Sequence, residues 1–517
     1  MARKKKNQPF RELVTTVRRK SMRIALFEDG RLAELFLERP ETKSIVGNVY
    51  KGHVQSIVPG IEASFIDIGL EKNGFLHVSD IAPAGATLDS VVEEKDVSGD
   101  IPGRRDRLSI SEMLKVGQDL MVQITKEPLG TKGVRLTNYV TLPGRFLVLM
   151  PTVSQIGVSR RIENEKERDR LRRLMRQLRP RGVGVIVRTA AAGKGKNELQ
   201  ADLRYLSNQW RKIKRQMEKG PPPAILHEDL DQLMRITRDI FTDEVGKFVI
   251  DSRTEYDRVA DFVAHLAPQL RSRIKLYRGK KPLFDTYNVE SEIEKALRKR
   301  VWLKCGGYIV IESTEALTAI DVNTGKFVGK THDLEETVFR ANIEAAKEIA
   351  RQVRLRDLGG IIVLDFIDMD SPQNRAELLA VLNEAMKADL TKYTISEVTE
   401  LGLVQMTRKR VRDDLLATLC QPCPYCGGVG FTKSVSTMVY EVQRKIEQLF
   451  SQSREKHIIV QMHPAVYEQF AIDDHDIIED LEATYRRTIT IEPYEDFHHE
   501  DLRFLSKRTG KEVKLRK

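Results

Sequence analysis

Residues 308–323 read YIVIESTEALTAIDVN, and residues 361–368 read IIVLDFID. The first stretch predicts two paired strands. Because side chains alternate along a strand, we expect four residues on one face, namely Leu317, Ala319, Asp321 and Asn323. Between the two stretches, apolar residues at helical spacing predict an amphipathic helix. The second stretch predicts a buried central strand that ends at Asp365. We therefore expect a mixed α/β unit built as a hairpin, a helix and a strand.

The ends of these strands are acidic. A carboxylate at the end of a buried strand is costly unless it is paired or bound to a metal. If the two strands share a sheet, Asp321 and Asp365 could both reach one hard cation such as Mg²⁺ or Mn²⁺. Such an ion polarises a phosphodiester and lowers the pKa of a bound water. The alternative is that both aspartates only cap the loops that follow, and Asp368, expected on the opposite face from Asp365, could cap the next turn.

A cysteine cluster follows the acidic strands. Cys423-Pro-Tyr-Cys426 has the C-x₂-C spacing of a zinc knuckle, which we favour over a redox pair because no thioredoxin-like strand precedes it. A closed zinc site needs four ligands, and no second pair or nearby histidine follows in the sequence. The simplest completion is a second chain that donates its own two cysteines, although Cys420 could act as a third thiol within one chain. Cys305 stands alone and is expected to be a small buried apolar residue.

Composition limits the class of protein. A chain of 517 residues is too long for one core, and several domains are expected. The sequence has no run of about 18 uncharged apolar residues and no apolar segment behind the basic residues 3–6, so neither a transmembrane helix nor secretion is expected. Four cysteines fit a reducing cytoplasm. The net charge of +11 suggests a polyanionic partner such as nucleic acid.

Residues 45–138 consist of short alternating runs separated by Gly and Pro, which predicts a small β-barrel interrupted by a polar insertion at 82–107. Exposed aromatic side chains on such a barrel stack on unpaired bases. Phe65 and Phe75 are candidates, although a single Phe in a strand more often belongs to the core. Lys126 and Lys132 could pair with phosphates, although surface lysines usually contribute little.

Several further segments can be interpreted from their residue types and spacing. Asp29-Gly30 lies between two apolar runs and predicts a hairpin over residues 22–38. Arg188-Thr189 ends a strand, and an arginine beside a hydroxyl suits a terminal phosphate. Residues 220–223 form a stiff Gly-Pro boundary, and the tail from about residue 434 predicts a small α+β unit that starts with a helix. Metalloprotease, esterase and dehydrogenase motifs are absent from the sequence.

Six blocks, in order along the chain, resemble the ribonuclease E/G family over nearly the whole length. These blocks are Ile45-Val-Gly-Asn-Val-Tyr-Lys-Gly52, Phe65-Ile-Asp-Ile-Gly69, Thr314-Glu-Ala-Leu-Thr-Ala-Ile-Asp-Val-Asn323, Arg354-Leu-Arg-Asp-Leu-Gly-Gly360, Asp365-Phe-Ile-Asp-Met369 and Cys423-Pro-Tyr-Cys426. The sequence lacks the long Arg- and Pro-rich tail of one branch of the family, so it looks closest to the shorter branch.

The resemblance implies an endoribonuclease that hydrolyses single-stranded RNA in rRNA maturation and mRNA decay. It implies 5′-phosphate products and a preference for 5′-monophosphorylated substrates. It also implies that Asp321 and Asp365 hold a catalytic Mg²⁺ and that Asn323 orients nearby groups. The competing hypothesis is a non-catalytic S1-type RNA-binding and assembly protein with a structural zinc clasp.

The resemblance also assigns binding residues. The residues that match the family's RNA clamp are Phe65, Phe75, Lys126 and Lys132, and those that match its 5′-phosphate sensor are Arg188, Thr189, Gly144 and Val148. A further sensor arginine of the family aligns with Lys392, which cannot form a planar fork on a phosphate. The strength of 5′-end sensing is therefore left open at this point.

The implied fold class is multidomain α/β and α+β. The segments are an RNase H-like domain in two halves (1–45 and 229–292), an S1 domain of the OB type (46–138), a 5′-sensor domain (139–228), a DNase I-like catalytic domain (293–417), a zinc-link (418–430) and a small C-terminal domain (431–517). The family's shared zinc agrees with the clasp expected from Cys423 and Cys426, which predicts a homo-oligomer, either a zinc-linked dimer or a dimer of dimers.

Overall fold

The structure is a computed structural model that describes residues 10–19, 21–38, 44–82, 109–128, 133–325, 334–399 and 402–513. Lys132, positions 83–107 of the polar insertion and the basic residues 3–6 lie outside this part of the chain. The protein forms two compact units, Met1–Leu415 and Leu416–Lys517. None of the helices in the described ranges has the length and apolar character needed to cross a membrane.

The secondary structure mixes strands and helices throughout. In chain order the strands are β1 Arg11–Arg18, β2 Ser21–Glu28, β3 Arg31–Glu38, β4 Val49–Val58, β5 Ala63–Asp67, β6 Gly74–His77, β7 Asp119–Lys126, β8 Arg135–Thr137, β9 Leu142–Pro143, β10 Leu147–Met150, β11 Ile156–Val158, β12 Gly184–Val187, β13 Ala224–His227, β14 Val245–Ile250, β15 Ile274–Leu276, β16 Arg300–Trp302, β17 Tyr308–Ser313, β18 Leu317–Asn323, β19 Gly360–Asp365, β20 Tyr393–Val398, β21 Leu403–Arg408, β22 His457–Met462, β23 Thr488–Pro493 and β24 Leu502–Ser506. The α-helices are Ile110–Met113, Glu165–Leu178, Lys196–Met217, Gln232–Asp239, Arg253–Leu266, Leu283–Thr286, Val289–Ala296, Leu334–Leu355, Pro372–Met386, Leu415–Leu419, Val435–Gln452, Pro464–Ile472 and His475–Tyr485.

The first sheet joins two distant parts of the chain. Its order is β15-β14-β1-β2-β3, with β1 antiparallel to β2 and parallel to β14. β2 and β3 form the predicted hairpin, whose turn residues Asp29 and Gly30 have φ values of 49° and 75°. Positive φ at both turn positions is what a two-residue hairpin of this twist requires.

The second sheet is the predicted barrel. Its order is β13-β4-β5-β6-β8-β7, and an additional pairing of β4 with β7 closes it. Inward-facing residues such as Val54, Ile66 and Leu76 are fully buried in its core. β13 follows the Gly-Pro boundary at 220–223 and returns to pair with β4.

A third sheet, β11-β12-β10-β9, is packed against the helices Glu165–Leu178 and Lys196–Met217. Buried residues of β10 and β12, such as Leu147 and Val187, share one core with residues of both helices. Arg188 follows directly on β12, so this sheet holds its backbone in place.

The fourth sheet contains the stretches that were used to predict the fold. Its order is β16-β17-β18-β19-β21-β20, with β18 parallel to β19. The helices Leu334–Leu355 and Pro372–Met386 share its core, which includes Ile320, Ile362 and Leu364. The prediction of a buried central strand agrees with the place of β19 in the sheet and with the burial of Ile362 and Leu364, but not with its other face, where Ile361 is 52 % exposed and Asp365 is exposed. β19 is central in the order of strands, but one of its faces is open.

A buried ion pair links the first sheet to the fourth. Arg354, at the end of the helix Leu334–Leu355, lies 2.8 Å from carboxylate oxygens of Glu28 and Glu34. Burial raises the pKa of Glu34, whereas for Glu28 the effect of burial is outweighed by Arg354, which lowers the pKa of that carboxyl. The helix that covers the fourth sheet is therefore anchored on strands from the start of the chain.

The C-terminal unit is the predicted α+β structure. The helix Val435–Gln452 buries Val439, Val442, Ile446 and Leu449 along one face, as its spacing predicts. The sheet has the order β23-β22-β24, with β22 parallel to β23 and antiparallel to β24. The cysteine cluster lies before this helix.

Candidate active site

The two predicted aspartates are brought together by strand register. β18 and β19 are parallel neighbours, and Asp321 is paired directly with Asp365 across them. Both side chains are on the open face of the sheet and are exposed. Side chains at paired positions lie on the same face, so the two carboxylates project together; we call this pair, with Asn323, the acidic edge.

The acidic edge concentrates negative charge. Partial burial, followed by the charges of Asp321 and Asp368, raises the pKa of Asp365. Alternation along a strand does not extend to Asp368, because β19 ends at Asp365, so the expected opposite face for Asp368 has no basis in strand geometry. Asn323 donates a hydrogen bond from Nδ2 to Asp321 Oδ2 at 2.6 Å and so fixes the orientation of that carboxylate.

The donor set fits a hard divalent cation. Two adjacent carboxylates on an open face suit an ion such as Mg²⁺, which binds through one or two carboxylates and keeps sites for water and phosphate. Across the described ranges, no group of three or more His, Cys, Asp or Glu side chains is arranged to hold a metal. The acidic edge therefore offers a two-carboxylate site rather than a closed cage.

One positioning residue was missed by the sequence analysis. Asn342, fully buried on the helix Leu334–Leu355, donates to Ile367 O at 2.7 Å and accepts from Ile367 N at 3.1 Å. It thus holds the backbone between Asp365 and Asp368. The available signal was a polar residue beside Ala341 and Ala345, on the apolar stripe of the predicted helix.

The barrel brings the predicted aromatics together. Phe65 and Phe75 are paired across β5 and β6, and their rings make an edge contact with centroids 6.0 Å apart. Both are half-buried, so neither belongs fully to the core. Lys126, at the end of β7, is exposed.

The predicted sensor arginine is already held by the protein. Arg188 Nη1 donates to Gly144 O and to Asp239 Oδ1, both at 2.6 Å. Thr189 is exposed, and its hydroxyl lies 3.2 Å from that of Ser159. For Asp239, burial is outweighed by Arg238 and Arg188, which lower the pKa of the carboxyl. The pairing with Asp239, 51 residues away, has no signal in the sequence.

Gly144 is required for a different reason from the expected one. A Cβ at this position would lie 2.6 Å from both carboxylate oxygens of Asp202. That buried carboxylate accepts hydrogen bonds from the backbone N–H groups of Arg145, Phe146 and Leu147. Val148 is half-buried on β10. These contacts fix the loop whose carbonyl holds Arg188.

The cysteine cluster contains a thiol that accepts a hydrogen bond from the backbone. Gly430 N donates to Cys426 Sγ at 3.3 Å, and the backbone N–H groups of Gly430 and Gly428 lower the pKa of the Cys426 thiol. Cys423 is exposed and Cys426 half-exposed. Favouring the thiolate is what a zinc ligand needs. Cys420 is exposed and completes no three-ligand group within the described residues.

One histidine of the C-terminal unit contacts the loop that carries the cysteines. His498 Nε2 donates to Tyr425 O, and His498 Nδ1 accepts from Glu500 N, so both ring nitrogens are engaged within the unit. Cys305 is half-buried rather than buried, and burial raises the pKa of its thiol. Both ring nitrogens of His498 therefore have partners other than the two cysteines.

Comparison with known proteins agrees with this geometry. The profile of the Ribonuclease E/G family matches residues 141–411, that of the S1 RNA binding domain matches residues 43–137, and one described as RNase E/G, Thioredoxin-like domain matches residues 422–508. The chain belongs to the ribonuclease E/G family. The predicted resemblance and the prediction of an endoribonuclease are therefore confirmed, as is an S1 barrel within a mixed α/β protein.

The relatives support the expected branch. The chain is 40 % identical to Ribonuclease G of Escherichia coli K12 over 93 % of its length and 96 % of that protein. It is 42 % identical to Ribonuclease G of Haemophilus influenzae over 95 % of its length and 98 % of that protein. Ribonuclease E of H. influenzae is 36 % identical over 97 % of this chain but only 52 % of its own length.

Proposed function

We propose that this family member hydrolyses phosphodiester bonds of single-stranded RNA at the acidic edge with Mg²⁺ and leaves 5′-phosphate products. The observation that carries the proposal is the direct pairing of Asp321 with Asp365 on an open sheet face. Their exposure leaves room for a phosphate group beside the two carboxylates. The family match makes RNA the substrate class.

The residues divide the work between them. Asp321 and Asp365 would hold the ion, and Asn323 keeps the Asp321 carboxylate in one orientation through its amide. When bound, Mg²⁺ supplies stabilisation of the charge that develops on the phosphate and lowers the pKa of a bound water. Asn342 keeps the segment after Asp365 in place through two hydrogen bonds, so that the distance between the carboxylates is maintained.

RNA is held by the barrel in this proposal. Phe65 and Phe75 are half-buried side by side and present ring edges and faces on which unpaired bases stack. Lys126 is exposed beside them on the same barrel and supplies positive charge for phosphates. Lys132 is assigned the same role from the resemblance alone.

A 5′-monophosphate is sensed at Arg188 and Thr189. Arg188 Nη1 donates to both Asp239 Oδ1 and Gly144 O, and these two contacts set the position of the guanidinium. Val148 on β10 is paired with Pro143 on β9, and Gly144 follows Pro143 directly. Arg161 Nη1 donates to Leu390 O, which ties this region to the loop that carries Lys392.

Zinc links two copies of the chain. Cys423 and Cys426 supply two thiolates, and a second copy supplies the other two, because a structural zinc site takes four ligands. The backbone donors to Cys426 support a ligand role. If Cys423→Ser with Cys426→Ser leaves both the zinc content and the oligomeric state unchanged, by metal analysis and sedimentation, this clasp is refuted.

The finer architecture follows the same resemblance. The first sheet draws strands from 11–38 and 245–276, which supports one RNase H-like domain in two halves. The barrel supports the S1 segment, the third sheet the sensor domain, and the six-stranded sheet the DNase I-like catalytic domain. Roles in rRNA maturation and mRNA decay, and a place in the cytoplasm, are part of the proposal.

The test is metal-dependent cleavage of a labelled single strand. The parent is expected to cut in Mg²⁺ and not in EDTA, and Asp321→Asn to lose roughly 10³-fold or more in rate with RNA binding retained. Comparing 5′-hydroxyl, 5′-monophosphate and 5′-triphosphate ends tests sensing on the same gel. Cleavage by Asp321→Asn at the parental rate would refute the catalytic assignment, and RNA binding without cleavage by the parent would favour the non-catalytic hypothesis.

A further inference from the structure

A large aromatic side chain is left open beside the acidic edge. Trp302, on the edge strand β16, is 64 % exposed. It is paired with Tyr308 on β17, and Tyr308 is paired with Asn323 on β18. Paired positions share a face, so these three side chains form one row across the open face of the catalytic sheet.

The next row contains the catalytic carboxylates. Arg300 is paired with Val310, Val310 with Asp321, and Asp321 with Asp365. The row of Trp302 and the row of Asp365 are therefore neighbours, two residues apart along each strand. Since neighbouring strands are about 4.8 Å apart, β16 lies roughly 10 Å from β18. That separation is within the reach of one or two nucleotides from a phosphate at the acidic edge.

The aromatic side chains and the arginine contact one another. The ring centroids of Trp302 and Tyr308 are 5.2 Å apart at 62°. The guanidinium carbon of Arg300 is 4.4 Å from the Tyr308 centroid and 5.9 Å from the Trp302 centroid. We call Arg300, Trp302 and Tyr308 the aromatic platform. It joins a positive charge to exposed ring faces, the combination that single-stranded nucleic acids bind through phosphate and stacked base.

We propose that the aromatic platform is a base-stacking subsite for single-stranded RNA, next to the bond that is cut. Trp302 stacks on an unpaired base, Tyr308 supports the indole from behind, and Arg300 contacts the adjoining phosphate. The subsite rests on the proposed function in taking the acidic edge as the point of cleavage. It differs from the barrel aromatics in lying on the catalytic sheet itself, so it acts on substrate position at the reacting phosphate.

The first test uses Trp302 as its own reporter. The chain has two tryptophans, and the other, Trp210, packs on the core of the third sheet. In a Trp210→Phe background, a single-stranded oligoribonucleotide titrated in EDTA is expected to quench Trp302 emission, and a duplex of the same sequence to quench it far less. Unchanged emission at saturation, followed by anisotropy of labelled RNA, would overturn the proposal. So would emission that varies with protein concentration without RNA, which would mean that a second copy covers Trp302.

The second test is kinetic. Trp302→Ala is expected to raise KM for a single-stranded substrate roughly tenfold, within the range of one lost base stack, with a smaller effect on kcat. Trp302→Phe should recover most of that loss, and Tyr440→Ala, which removes an exposed aromatic in the C-terminal unit, should leave KM unchanged. In a series of substrates that each lack one base, at least one missing base should raise KM for the parent but not for Trp302→Ala.

The outcomes separate the two proposals. If the parent cleaves RNA and each missing base raises KM equally for the parent and for Trp302→Ala, the proposal of a stacking subsite is wrong and the proposed function stands. If the parent fails to cleave in Mg²⁺ while single-stranded RNA quenches Trp302, the proposed function is wrong and the platform is an RNA-binding site.

Discussion

Replacing Asp365 by Asn is expected to abolish cleavage and, at the same time, to stabilise the metal-free protein. Asp365 faces Asp321 across one inter-strand spacing, and partial burial, followed by the charges of Asp321 and Asp368, raises the pKa of its carboxyl. Two unit charges about 5 Å apart repel by about 0.8 kcal/mol at the dielectric constant of water. Because the groups are exposed, salt screens part of this, and we expect the variant to gain roughly 0.5–1 kcal/mol in EDTA.

Magnesium should reverse the order of stability. A ligand that binds only the folded parent stabilises it by about 1.4 kcal/mol when present at ten times its Kd. With a single carboxylate left at the pair, Asp365→Asn should gain much less. The free energy of unfolding is measured by urea denaturation, followed by circular dichroism, in EDTA and in excess Mg²⁺. If Asp365→Asn is more stable than the parent in EDTA but less stable in excess Mg²⁺, the carboxylate pair binds a cation.

Asp413→Asn is the matched control, because Asp413 is an exposed aspartate outside the acidic edge. It should change neither the stability in EDTA by this amount nor the response to Mg²⁺. The reasoning fails if Asp365→Asn is less stable than the parent in EDTA, or if Mg²⁺ stabilises parent and variant equally. In that case the two aspartates are structural caps, as the alternative interpretation of the sequence holds.

Three further outcomes are expected. Arg354→Ala should lower the free energy of unfolding by about 3–5 kcal/mol in urea denaturation, since it removes the ion-pair partner of Glu34 and leaves Glu28 paired with Arg11 alone; a loss below 1 kcal/mol would contradict this. Phe75→Ala should raise KM for single-stranded RNA roughly tenfold, and Phe75→Leu should not restore it, because the stacking face rather than apolar volume is lost. The hydrogen bond from Arg170, and then that from Gly193 N, lowers the pKa of Glu167 from 4.5 to about 2. The stability from this depressed pKa is present above pH 4.5 and is lost as pH falls toward 2, so the parent should lose its advantage over Glu167→Gln within that window in acid titrations of stability.

Local patterns predicted the strands and the helix around the acidic edge well. The alternation in 317–323 correctly placed Asp321 and Asn323 on one face, and the helical spacing after it correctly predicted a helix whose Val338, Ile349 and Val353 are buried. These predictions succeed because period and face are properties of a few consecutive residues. The matching family blocks then assigned chemistry to the same positions.

The exposure of Asp365 was not predictable from the same pattern. The run of residues 361–364 has the composition of a strand buried on both faces, yet in the described part of the chain the helices pack on one face of the sheet, and Ile361 and Asp365 on the other are exposed. Two other features were unpredictable for the same reason: the ion pair between Arg188 and Asp239, and the hydrogen bonds of Asn342 to Ile367. Each depends on which surface another part of the chain covers, and a residue's own neighbours in sequence carry no information on that.

By itself, then, the sequence determined the strands and helices, the family, the two aspartates and the cysteine pair, because these follow from spacing and residue type. Only the tertiary structure decided that Asp321 stands opposite Asp365, 44 positions further along, and that Trp302 joins their open face. Strand order and register arise from long-range packing, in which one sheet face is covered and residues on the other, such as Asp321 and Asp365, are exposed. The physical reason is that the burial of a residue depends on distant segments that pack against it, whereas hydrophobic periodicity is a property of a single segment.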